Sequence, residues 1–241
     1  MVHHHKPTRQ PAALQTTRPS KNKPGFSIFG AAFIAVALGM SVSGCAFTTD
    51  YVTISHNTRG AVAVPGASEI PVNVQVVDQR SDTMKVSAKK NGYGMECAAI
   101  LAREDVAATV RQAINQELKS RGFKIQEEML DVTRVNVDIF RFYNDYKVGF
   151  WSASAVSDFD VMVTVKTKDG AACYNKRQTT QAVNGGCMLM TGKNAERALN
   201  NAFSDGIQKL FDDKDFINAL LQSNGAPAEP PLHNENEKGE Q

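Results

Sequence analysis

Histidine is scarce in this chain, and none of it falls in the stretch that carries the hydrophobic pattern. Three of the five histidines are His3, His4 and His5; of the other two, His56 precedes the patterned region and His233 follows it. A Ser–His–Asp or Cys–His catalytic arrangement needs an imidazole held by packing, and His-dependent zinc sites need the same. Neither is expected, and no metal or cofactor is implied. Carboxylate or lysine chemistry stays open, but no spacing suggests it. Acidic residues are missing from the first 49 positions, where Lys6, Arg9, Arg18, Lys21 and Lys23 stand alone. No basic excess marks the remainder: from residue 45 on, 25 acidic residues face 22 basic ones, a net charge of −3. A nucleic-acid partner is therefore not expected.

Apolar runs are short. The longest is Ala31 to Met40, and it runs on through Ser41-Val42-Ser43-Gly44 to Cys45. A basic leader, an apolar centre and small residues at the cut are the marks of a secretory signal. Val42-Ser43-Gly44-Cys45 resembles a bacterial lipobox, in which the leader is cut before a cysteine that carries lipid. The rival reading is an uncleaved membrane helix. From Phe26 to Val42 there are only 17 residues, broken by Ser27, Gly30, Gly39 and Ser41, against about 20 for a span. The expected organisation is a signal peptide over 1–44, a lipidated N-terminus and tether over 45–70 with room for one edge strand, a domain over 71–222 and a disordered Pro/Glu tail over 223–241. The lipid on Cys45 is the only non-protein group expected. Ala46 rather than Asp follows that cysteine, which by the sorting habit of enteric-like bacteria implies the outer membrane, on its periplasmic face.

Three further cysteines, Cys97, Cys173 and Cys187, lie in the mature chain. In an oxidising compartment a pair would favour a disulfide. Cys173–Cys187 would close a loop of about 15 residues, but only if the chain doubles back between them. No turn signal marks the midpoint, and free thiols are the alternative.

Alternation of Val72, Val74 and Val76 with Asn73 and Gln75 predicts a half-buried strand, ending in Asp78-Gln79-Arg80-Ser81. Those polar residues fit either a site or a strand exit held by side-chain hydrogen bonds. Lys89 to Cys97, with Gly92 and Gly94, reads as a hairpin tip or an anion-binding loop, although it lacks the G-K-[ST] of a phosphate loop. Val106, Val110, Ile114 and Leu118 recur every fourth residue and predict a helix over 103–121 that Gly122 stops. Strands follow around Val135–Tyr143 and Phe159–Lys166. Lys168-Asp169-Gly170 then signals a tight turn back into a partner strand over 171–183. Tyr143, Tyr146, Phe150 and Trp151 form an aromatic knot between the first two of these strands. Tyr93, Tyr146 and Trp151 are the candidate interaction surface, with packing at a core edge the alternative. A second helix over 194–211 and a short amphipathic piece over 216–221 complete the domain.

Taken in order, the lipobox through Cys45, the strand Val72 to Arg80, the helix end Leu118 to Phe123, the strands Val135 to Asp138 and Asp160 to Val165, and the segment from Asn194 to Phe216 resemble the YajG-like family of bacterial lipoproteins. The resemblance covers about residues 70–221. It implies an outer-membrane-associated lipoprotein without assigned enzymatic activity, and therefore supplies no catalytic residue. The long leader, the extra cysteines and the Pro/Glu tail depart from the usual pattern.

The expected fold is α+β: one mainly antiparallel sheet of four or five strands with two helices on one face. The leading function is a non-enzymatic module on the membrane that acts through an envelope protein partner in assembly or maintenance. The alternative is a tethered carrier or sensor of a small ligand or lipid, with its pocket between sheet and helices. A cell-wall hydrolase would need an acid/base pair such as Asp138 with Asp160, for which solvated outer-face carboxylates are the simpler account.

Overall fold

The computed structural model describes residues 47–223 apart from 59, 129–131 and 150. The lipobox Val42, Ser43, Gly44 and Cys45, the signal region and the C-terminal tail lie outside the described residues, as does Phe150. The described chain is α+β, with one mixed sheet of eight strands and three helices. The strands are β1 (Asp50–Val52), β2 (Pro71–Asp78), β3 (Lys85–Lys90), β4 (Glu96–Ala102), β5 (Lys124–Ile125), β6 (Thr133–Val148), β7 (Ala153–Lys166) and β8 (Ala172–Cys187). The helices are α1 (Val106–Ser120), α2 (Gly192–Asp212) and α3 (Lys214–Gln222).

The sheet is larger and less antiparallel than expected. β6 pairs antiparallel with β7, and β7 with β8, as the Lys168-Asp169-Gly170 turn predicts. On its other edge β6 runs parallel to β2 and, further along, to β3; β5 pairs parallel with β2 and β1 with β4. Parallel neighbours need crossover connections, and α1 lies on the one that brings the chain from β2, by way of β3 and β4, round to β5 at the outer side of β2. β3 and β4 carry no alternating apolar signal because Val86 and Ile100 share their buried positions with Ser87, Ala88, Lys89 and Ala102. Ser87 belongs to a satisfied polar ladder instead. Its Oγ donates to Asn144 O at 2.8 Å, Asn144 Nδ2 donates back to it at 2.9 Å, and Ser157 Oγ donates to Asn144 Oδ1 at 3.0 Å. Fully paired groups of this kind fix a register that apolar residues leave loose.

β6 carries a bulge between Ile139 and Arg141. One extra residue switches which side chains point inward: Val135, Val137 and Ile139 are buried before it, Phe142, Asn144 and Tyr146 after it. Opposite the bulge, β2 leaves the sheet and β3 rejoins it. Gln79 N–H donates to Ile139 O at 2.9 Å. Arg80 then fills the gap: Nη1 donates to Phe142 O at 2.9 Å, Nη2 to Thr83 O at 2.6 Å, and Nε and Nη2 hold both oxygens of Asp78 at 2.8 and 2.6 Å. The polar run after β2 is thus a strand exit held by side-chain hydrogen bonds.

The helices cover one face of the sheet. Asp105 caps α1 by accepting from Ala108 N–H at 2.6 Å, and Gly122, at φ 98°, ends it in the left-handed conformation that glycine tolerates. In the core Phe142, Phe159 and Phe203 meet edge to face, with centroids 5.4–6.0 Å apart. α2 approaches closely enough that a Cβ on Gly206 would stand 2.5 Å from the Phe159 ring. The segment read as a tether belongs to this fold from Asp50 on: β1 is an edge strand, and Ile54, Ala67 and Ile70 are core residues.

Candidate interaction groove

β5 is two residues long and ends opposite Val72. Beyond that point the outer edge of β2 has no strand beside it among the described residues. Lys124 N–H donates to Ile70 O and Gln126 N–H to Val72 O, so even-numbered positions of β2 turn their backbone groups away from β6. By strand alternation Val74 and Val76 do the same, presenting backbone N–H and C=O groups to an open edge.

That edge floors a groove of about 860 Å³, walled by α1 on one side and by Gln126 and Glu127 on the other. Asn73, 6% exposed, donates through Nδ2 to Gln126 O at 2.9 Å and Glu127 O at 2.8 Å. Its Oδ1 is buried with no protein partner, and so is Asn115 Oδ1 on the facing helix. A buried acceptor left unpaired costs about 1–3 kcal/mol. Arg111, Gln112, Gln116 and Lys119 complete the helical wall. The lining is largely polar. No triad or carboxylate dyad stands in it.

On the opposite side of α1 lies a buried cluster that sequence reasoning missed. His56 Nε2 meets Glu117 Oε1 at 2.7 Å, and Arg121 pairs with the other oxygen of Glu117. The side chains of His56 and Glu117 are 3% and 1% exposed, and the imidazole packs edge to face on Phe203. Burial opposes the charge on Glu117, but the hydrogen bonds, led by that from His56, outweigh it and hold the carboxyl below its ordinary range. A histidine held by packing therefore does exist in the domain, contrary to expectation. At this depth the cluster ties His56 to α1, while the neighbouring Thr53 and Ser55 are held by Glu196 and Asn200 of α2. Only its local sequence, polar residues in a segment without periodicity, was visible beforehand.

Other candidates separate. Asp138 accepts from Gln79 Nε2 at 3.0 Å. Asp160 takes two bonds from Arg177, at 2.9 and 2.6 Å, and the guanidinium holds its carboxyl below the usual range. A general acid needs the opposite shift, so Asp160, 8% exposed and closed by Arg177 and Thr179, does not fit that role. Lys89 to Cys97 is a hairpin tip: Asn91 Oδ1 accepts from Tyr93 N–H and Met95 N–H, both at 3.0 Å. Lys89 and Lys90 pair with Asp50 and Asp145, which leaves no cation poised over that loop. Tyr93 and Trp151 are 93% and 86% exposed at two hairpin tips, whereas Tyr146 is 2% exposed and donates to Thr191 O at 2.6 Å. Tyr146 is a core residue and leaves the candidate surface.

The Cys173–Cys187 bridge does not form either. Both cysteines belong to the single strand β8, and Cys97, Cys173 and Cys187 are all free. An extended run of this length holds its ends about 40 Å or more apart, against a limit of about 7 Å for a disulfide. Among the described residues no helix is long and apolar enough to cross a membrane.

Residues 58–221 match the family described as "uncharacterized lipoprotein". The chain belongs to that family. The uncharacterized lipoprotein family thus covers nearly all of the described fold, in agreement with the resemblance to YajG-like lipoproteins. No curated protein matches the chain. Among solved structures it is similar to a protein from Xanthomonas campestris, at 10% identity and a TM-score of 0.48 over 68% of this chain and 92% of that one. It is also similar to a minor lipoprotein from Acinetobacter baumannii, at 5% identity and 0.38 over 60% and 90%. A lipoprotein from Neisseria meningitidis matches at 7% identity and 0.32 over 60% and 99%. At such identities and scores nothing about activity passes between these proteins.

Proposed function

We propose that this lipoprotein is a non-enzymatic module, held on the periplasmic face of the outer membrane by lipid on Cys45, that receives an extended segment of an envelope protein along the open edge of β2. The observation that carries this reading is the unpaired β2 edge at the floor of the groove. An added strand gains affinity from main-chain hydrogen bonds and specificity from its alternate side chains. The polar side chains of Arg111, Gln112 and Gln116 on the α1 wall supply further points of recognition. Anchoring rests on the lipobox and the outer membrane on Ala46. The closed His56–Glu117 pair and the Arg177-neutralised Asp160 support the non-enzymatic part. The alternative carrier needs an apolar cavity between sheet and helices; Phe142, Phe159 and Phe203 fill that space under α2, and the groove between β2 and α1 is polar.

The test is photocrosslinking in cells, with a photoreactive residue at Gln112 in the groove and, as control, at Asn175 on the far edge strand β8. A protein adduct is expected from position 112 and not from 175. Val76→Pro removes one outward N–H without touching the β6 ladder. That loses about 1 kcal/mol, roughly a fivefold drop in affinity. Equal adducts at both positions, no adduct, or a yield unchanged by Val76→Pro would each overturn edge binding.

A further inference from the structure

The ends of the sheet differ in chemistry. At one end stand the turn Lys168-Asp169 and the α2–α3 junction with Asp212, Asp213 and Asp215. At the other, the tips themselves are uncharged: residues 47–49, 91–95, 148–149, 151–157 and 182–192 contain no Asp, Glu, Lys or Arg, and Lys90, Glu96, Lys147 and Lys193 stand at their margins. The pairing brings these segments together. Ser87 opposite Asn144 carries the β3–β4 and β6–β7 tips to the same end. Ala153 opposite Cys187 sets Met188 and Leu189 beside the β6–β7 tip.

This end is also apolar. Tyr93, Met95, Val148, Trp151, Met188 and Leu189 are 93, 61, 46, 86, 82 and 71% exposed. They account for much of the exposed large apolar surface of the described residues. Exposure of that kind marks an interaction site when it is gathered in one place.

The N-terminus identifies the occupant. Asp50 accepts from Lys89 Nζ and from Gly192 N–H, both at 2.8 Å, so β1 begins between the β3–β4 hairpin and the start of α2. Because β1 runs parallel to β4, with Asp50 opposite Ile100, the chain before Asp50 heads back toward the hairpin tip. Phe47, 67% exposed, lies on that path. Two residues of chain reach at most about 7 Å, so a lipid on Cys45 leaves from the same end of the sheet.

We propose that this uncharged end is a membrane-docking surface, with the loop tips seated in the headgroup layer of the bilayer that holds the lipid on Cys45. Trp and Tyr favour that layer because one part of each ring is apolar and the other polar. Neither lipid on one cysteine nor shallow tips need a spanning helix, and together they fix orientation as well as attachment. The domain then stands with its charged end in the periplasm and the β2 edge open along its side. This inference rests on the anchored reading above.

Trp151 is the only tryptophan and reports directly. Full-length lipidated protein is bound to phosphatidylcholine vesicles, separated by flotation, and its fluorescence quenched with acrylamide from water or with a shallow doxyl label on the lipid. The expected result is co-flotation, a fall of about threefold or more in acrylamide quenching relative to vesicle-free protein, and quenching by the shallow label. Leu189→Asp should still float but regain acrylamide access. Flotation with Trp151 as open to acrylamide as before overturns docking and leaves the anchor standing. Failure to float overturns the anchored reading and docking with it. Protection that is equal without vesicles and grows with protein concentration assigns this end to a second copy and also overturns docking.

Discussion

Arg80 joins β2, β3 and β6 at the point where the ladder breaks, and its removal should be among the most damaging single changes outside the aromatic core. The Arg80 and Asp78 side chains are 8% and 7% exposed. Arg80→Ala leaves the Asp78 carboxylate buried without its cation and strips the donors from Phe142 O and Thr83 O. Breaking one side of a buried pair costs about 3–5 kcal/mol. At about 2–4 °C per kcal/mol for a chain of this size, Tm should fall by roughly 10 °C. Arg80→Lys keeps the charge but cannot hold Asp78 through two parallel bonds, and should lose less. The double change Asp78→Leu with Arg80→Met removes both charges and should recover most of the loss, giving a large coupling term in a double-mutant cycle. Urea denaturation of the four proteins measures this. A loss under about 1 kcal/mol for Arg80→Ala, or additive single changes, would show that the backbone alone closes the gap.

Glu117 has a folded-state pKa below its unfolded value, so its contribution is present above the unfolded pKa, about 4.3, and is lost as pH falls through the folded one. Glu117→Gln should therefore destabilise the protein at pH 7 and converge on wild type in acid; a constant difference across the acid limb of a stability–pH curve would contradict the assignment. Thiol titration under non-reducing, denaturing conditions should find Cys97, Cys173 and Cys187 all reactive. In the folded protein, buried Cys187 should react last. One reactive thiol among the three would restore a bridge.

The sequence made the strongly periodic elements legible. α1 runs from its Asp105 cap to Gly122 nearly as the four-residue spacing of Val106, Val110, Ile114 and Leu118 requires, and the β7–β8 hairpin turns where Lys168-Asp169-Gly170 predicts. What stayed hidden were features whose signal is pairing rather than pattern. β3 and β4 bury Ser87 and Lys89 beside Val86, Ala88, Ile100 and Ala102, so no apolar alternation announces them, and with them went the mixed character of the sheet. Nothing in the local sequence ties His56 to the domain, since Ser55, Asn57 and Thr58 around it are polar. Its partner Glu117 comes from α1, 61 residues away. The β2 strand was visible, but its open edge was not, since the edge exists only because β5 stops after Ile125.

Anchoring at Cys45 underlies both the envelope partner and the docked end of the sheet, and palmitate labelling with membrane fractionation of wild type and Cys45→Ala tests it most directly. Label carried by wild type in the outer membrane, and lost in the variant, is the expected result. An unlabelled protein, or one found in the soluble or inner-membrane fraction, would contradict the account.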